Sequence, residues 1–144
     1  MANVFDVARY ILEKQGSMTA MKLQKLTYYS KAWHLVWEER SLFPERIEAW
    51  ANGPVSPPLY AAHRGKFNVQ PAEIEGNTEV LTDAEKESID SVLGFYGNMR
   101  AMELSELTHR EDPWKHARND LPMGTSSNAV ITEASLAEYY GALI

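Results

Sequence analysis

The stretch "THREDPW", Thr108 to Trp114, gathers a histidine, two acids and a tryptophan within a few residues. A histidine beside a carboxylate is the composition of a general acid–base pair. His109, Glu111 and Asp112, with His63 brought in from elsewhere, are therefore the candidate residues for an enzyme. A competing physical account needs no catalysis. Acids at a helix start cap free N–H groups, and a histidine at a helix end complements the dipole. Four histidines, His34, His63, His109 and His116, also raise metal binding. Helical ligand pairs stand three or four residues apart. No pair here has that spacing: His109 and His116 are seven apart with Pro113 between them. With no cysteine in the sequence, thiolate metal sites, disulfides and cysteine nucleophiles are excluded. "NGPVSPP" lacks the lysine and spacing of a phosphate loop, and no Gly-x-Ser-x-Gly elbow occurs. The sequence predicts no cofactor, no metal and no enzyme.

A second stretch asks a different question. "IEAWANGPVSPPLY", Ile47 to Tyr60, places Gly-Pro and Pro-Pro among apolar residues. The prolines and glycine are explained by a turn and a helix start. The apolar side chains around them are not, because one short strand and one turn cannot hide them all. Trp50, Pro54, Val55 and Tyr60, with Trp37 at the margin, are the candidate partner-binding residues: rigid aromatic patches lose little entropy on binding.

The elements that must position these residues follow from periodicity. Val4, Val7, Ala8, Ile11 and Leu12 form one face of a first helix, which Gly16 ends. Ser17 or Thr19 caps a second, spanning roughly 20–40. Its apolar face runs through Leu23, Leu26, Tyr29 or Ser30, and Trp33, with Tyr28 and Trp37 at a partly exposed edge. Residues 47–51 alternate as a strand and 78–81 as its partner. Ser56 caps a short third helix, and Gly65 to Asn77 reads as a polar loop. Thr82 and Glu85 make a capping box for a helix that Gly97 stops. Leu104 and Leu107 mark the next helix, Asp112 caps another, and Thr132 caps the last. The expected architecture is mainly α: one compact domain over 1–144, about six helices and a small two-stranded β element, with Trp33 and Trp114 buried.

Bulk properties restrict the partners. The 144 residues carry 20 acids against 14 Lys and Arg, a formal charge of −6. A phosphate backbone is held by clustered bases, so direct nucleic-acid binding is not expected and the net charge suits a basic partner. The opening "MANVFDVARYILEK" lacks a basic region ahead of its apolar residues, and no apolar run reaches membrane-spanning length. A cytoplasmic protein is expected.

"KLQKLTYYSKAWHLVW" followed by "LFPERIEAWANGPVSPPLY" resembles the N-terminal signature of the Panacea domain, the family of SocA-like antitoxins. The pair is similar also to the phage-associated GepA proteins that share it. "LTDAEKESIDSVLGFYG", "ELSELTHREDPWKHAR" and "ITEASLAEYY" continue the pattern in order, so the resemblance covers nearly the whole sequence. Asn52 departs from it, since the family more often has an aromatic or basic residue before Gly-Pro. The resemblance implies an antitoxin-like module that neutralises a partner toxin by binding it. One branch of the family acts as a proteolytic adaptor that delivers its toxin to a ClpXP-type protease. Relatives with an added DNA-binding domain regulate their own operon, and this sequence leaves no length for one.

Overall fold

The computed structural model describes residues 1–144. Seven α-helices and two small sheets surround one core of 31 buried apolar residues. Helix α1 (Val4–Gln15) starts on a capping box: Asn3 Oδ1 accepts from the amides of Phe5 and Asp6, and Asp6 reaches back to the Asn3 amide at 2.9 Å. Gly16, at φ 82°, ends it.

Helix α2 (Ala20–Glu38), capped by Thr19 through the Lys22 amide, is the axis of the molecule. It packs against α1 and against α3 (Pro57–His63), α4 (Asp83–Tyr96), α5 (Ala101–Arg110) and α7 (Glu133–Gly141). Twelve consecutive residues, Leu23 to His34, are buried. That corrects the expectation of one apolar stripe. A helix enclosed on every side has no solvent face, so its polar residues are inside, and all but Thr27 are hydrogen-bonded. Tyr28, expected at a partly exposed edge, is fully buried. Trp37, at 42% exposure, does lie at the surface.

The first sheet corrects the strand pairing. Strand β2 (Ile47–Trp50) pairs antiparallel with β3 (Gly53–Val55) through the two-residue turn Ala51-Asn52, with Trp50 opposite Gly53. Its other edge takes β5 (Val130–Ile131). Residues 78–80, the expected partner, form a 3-10 turn instead. The expected turn at Gly53-Pro54 is a strand even though proline cannot donate to a ladder. The register accounts for this. Pro54 stands opposite Ala49, whose amide donates away from β3 to the Ala129 carbonyl at 2.8 Å.

The expected polar loop at 65–77 is also corrected. It contains β4 (Asn68–Val69), which pairs antiparallel with β1 (Met18–Thr19), and it buries Val69 and Ile74 completely. Two isolated apolar residues carry no period, which is why the pattern did not reveal them. The Thr82–Glu85 capping box of α4 and the Thr132 cap of α7 are as expected. Helix α6 (Asp112–Ala117) is capped one residue earlier than expected, by Glu111 rather than Asp112. The Glu111 side chain makes no capping bond because its carboxyl turns into the core.

Gly53 shows how closely the hairpin sits on α2. Its φ is 126°, and a Cβ there would lie 2.6 Å from Lys25 Cε. Gly53→Ala is expected to destabilise the fold by about 1–3 kcal/mol through backbone strain and this contact. Urea denaturation measures it; an unchanged midpoint would contradict the packing described.

Candidate functional site

Side chains from three helices hold the β2–β3 hairpin by its backbone. Gln24 of α2 accepts from the Ser56 amide at 2.9 Å and donates to the Ser56 carbonyl at 3.2 Å. From α5, Ser105 Oγ donates to the Asn52 carbonyl at 2.7 Å. Trp114 Nε1 of α6 donates to the Trp50 carbonyl at 2.8 Å. Arg118, just beyond α6, donates to the Ala49 carbonyl at 3.1 Å and to Thr125. A turn with this many fixed carbonyls is preorganised rather than loose.

Against this hairpin, α3 and the start of α2 enclose a cleft of about 1020 Å³. Its wall is aromatic: Trp50 and Tyr60 meet edge to face at 4.9 Å, and Tyr60 meets His63 at 5.4 Å. Trp50 Nε1 donates to Glu48 Oε1 at 2.8 Å, while Arg46 holds the other Glu48 oxygen at 2.6 Å. The rim adds Met21 and Phe67, the latter 83% exposed. Deeper in, the Gln24 amide nitrogen lies 2.9 Å from His63 Nε2. The amide donates there, so His63 accepts as a neutral imidazole. Burial lowers its pKa, with Lys25 adding to the effect.

Lys25 lines the same cleft and is 2% exposed. Its ammonium donates to the Pro54 carbonyl at 3.3 Å, and no carboxylate pairs with it. Burial pulls its pKa down to about 8, which still leaves it mostly charged at neutral pH.

The expected binding residues fall into three settings. Trp50, half-buried, and Tyr60, 37% exposed, form the cleft wall with Val55, which is itself buried. Pro54 is buried and contributes its carbonyl to Lys25. Trp37 lies outside the cleft: it stacks on Trp33 at 5.4 Å, twelve residues along α2 from Lys25, or about 18 Å of helix. The structure brings the first four together and leaves Trp37 apart.

The residues considered for catalysis do not converge. Glu111 is buried and accepts from Tyr29 and Tyr140, both at 2.7 Å. Burial raises its pKa against the pull of those two hydrogen bonds. His109 stacks on Trp114 at 4.1 Å, Asp112 faces Lys115 and His116 at 3.8 Å, and His63 belongs to the cleft. No group of three or more His, Asp or Glu side chains is arranged to hold a metal ion.

Gln24 and Lys25 are the site residues that sequence reasoning missed, while His63 was singled out for catalysis and lies in the cleft instead. The only signal was the Leu-Gln-Lys-Leu motif itself, in which two polar residues sit between two buried leucines.

A mainly helical domain with a motif-free aromatic cleft has the character of a protein-recognition module. The model of the family described as "Antitoxin SocA-like, Panacea domain" matches residues 23–115, well over half of the sequence. This protein belongs to that antitoxin-like family. Comparison with curated proteins and with solved structures gave no match. The matched span contains α2 from Leu23 onward, the hairpin and α3, and so most of the cleft. No helix is long and apolar enough to cross a membrane.

Proposed function

We propose that this protein is a cytoplasmic, non-enzymatic antitoxin that neutralises a partner toxin protein by binding it on the surface around the Trp50–Tyr60 cleft. The observation that carries this reading is the family match over a span that includes most of the cleft. The cleft supplies what recognition needs: a half-exposed aromatic pair, Trp50 on a hairpin fixed by α2, α5 and α6 and Tyr60 on α3. Pro54 and Val55 act from beneath, setting the shape of the wall. The separate environments of His63, His109, Glu111 and Asp112 support a role without catalysis.

Neutralisation has two routes, occlusion of the toxin or its delivery to a ClpXP-type protease. Co-expression with the product of the gene beside this one tests the reading: that product alone should arrest growth and this protein should restore it, and a host lacking that protease separates the routes. Rescue that persists there means occlusion; rescue lost there means delivery. Tyr60→Ala is expected to lower toxin affinity at least tenfold, an effect of hot-spot size, while leaving the fold intact because Tyr60 is part-exposed. Binding measured by calorimetry, with circular dichroism as the control, decides this. Unchanged affinity would move the toxin surface elsewhere. Val55→Asp is the harsher variant, because Val55 is 8% exposed and a carboxylate there perturbs folding as well as contact.

A further inference from the structure

The sign of charge in the cleft is opposite to that of the protein as a whole. The full sequence carries −6, but the cleft is lined by Lys25, Arg64 and Lys66 against one carboxylate, Glu48. Glu48 is already engaged by Arg46 and by the Trp50 indole. Lys66 is likewise engaged, by Glu73 at 2.5 Å. What remains is Arg64, exposed to solvent, and Lys25: buried, bonded only to the Pro54 carbonyl, and unpaired with any acid. A buried ammonium without a counter-charge is costly, and its three N–H groups exceed the one acceptor it has. The fold does not relieve this. Gly53 keeps the hairpin backbone against the lysine stem, and Gln24, the neighbouring polar group, is saturated by Ser56 and His63.

We infer that the cleft seats a partner peptide segment through a carboxylate, which bonds the Lys25 ammonium while adjacent apolar side chains of the segment pack on Tyr60, Trp50 and Phe67. This rests on the reading of the protein as a binding module and adds the chemistry of what it binds. Charge complementarity selects an anionic group over the basic partner that net charge alone suggested. The exposed apolar rim selects a peptide over a free anion, because Met21 and Phe67 offer nothing to a phosphate. The carboxylate is an Asp or Glu side chain; a free C-terminus, which presents the same two oxygens, is the alternative that the test separates.

The test uses the full-length protein and four defined probes at millimolar concentration. These are the acetylated, amidated tripeptide Leu-Asp-Phe, its Leu-Asn-Phe counterpart, Leu-Ala-Phe with a free C-terminus, and inorganic phosphate. Binding is followed by NMR at the Trp50 indole. The Asp peptide is expected to bind at least tenfold more tightly than the Asn peptide. Lys25→Met is expected to abolish that difference and leave the Asn peptide's weak binding unchanged. Methionine fills the volume of the lysine stem and removes a buried charge, so the variant should fold. If it does not, the Asp–Asn comparison on the parent protein still decides the matter. The free C-terminus, compared with the Asp side chain, tells the two carboxylate sources apart. Equal binding of Asp and Asn peptides overturns the inference, as does a response to phosphate alone or to none of the probes. Toxin rescue by the same variant keeps the two readings distinct. A Lys25→Met protein that neutralises its toxin normally sinks the carboxylate contact and spares the antitoxin. Carboxylate binding in a parent protein that rescues from no toxin does the reverse.

Discussion

Trp114→Ala should cost about 3–5 kcal/mol of folding stability, the range for deleting a buried indole. The side chain is 2% exposed. Three interactions end with it. Its Nε1 no longer meets the Trp50 carbonyl at 2.8 Å, His109 loses the ring it stacks on at 4.1 Å, and the Arg118 guanidinium loses the face it covers at 4.8 Å. Because Arg118 also holds Ala49, the damage should spread into the hairpin. Under the proposed function, toxin affinity should fall beyond what the lost stability accounts for. Trp33→Ala, at the other end of the core, removes a ring that donates to the Tyr96 hydroxyl at 2.9 Å. It should cost a similar amount and leave the cleft geometry unchanged. Chemical denaturation of both variants checks this, and parent-like stability in either would contradict its place in the core.

Glu111→Leu should be nearly as damaging, for a polar reason. Tyr29 and Tyr140 both donate to the same oxygen, Glu111 Oε1, and Tyr140 also lies 3.0 Å from the Tyr28 hydroxyl. Leucine leaves buried hydroxyls without an acceptor, at about 1–3 kcal/mol for each one orphaned. Glu111→Gln should be mild, because the amide oxygen accepts the same two hydrogen bonds.

The pair also predicts a pH dependence. Burial raises the Glu111 pKa in the folded state above its ordinary value of 4.5. The folded protein therefore binds this proton more tightly than the unfolded protein does. The resulting stabilisation is complete below pH 4.5 and is lost as pH rises through the folded pKa. Glutamine does not titrate. The stability of Glu111→Gln relative to the parent should accordingly increase as pH is raised from below 4.5, and taking the difference cancels the other groups. A difference that is flat or falls with pH would sink this account.

Much of the helical frame was legible because it is written in local chemistry. The Thr82–Glu85 box, the Thr132 cap and Gly16 act within a few residues of themselves, so their roles can be read from neighbours alone. Burial of Trp33 and Trp114 followed from helical spacing and a proline-led start. Strand pairing was not legible in the same way. β5 reaches β2 across some eighty residues, and two-residue strands carry no period. The candidate site divides along the same line. Trp50 and Tyr60 announce themselves as apolar side chains beside a turn that cannot cover them. Lys25 does not, because a lysine between leucines reads as the wet side of a helix until helices on every side of α2 show that it has none.

The family match ends at residue 115, yet Tyr140 of α7 is fully buried against Tyr28 and Tyr29, and α1 contributes Val4, Val7, Ile11 and Leu12 to the same interior. The span that the family model matches is therefore smaller than the part that packs as one unit. A graft of residues 23–115 alone onto another protein would carry the motif without the walls that make it solid. Recombination that reshuffles such modules among partners would have to cut outside both terminal helices. Diversity is then free to accumulate around the cleft, at exposed positions such as Met21 and Phe67, which the interior does not constrain.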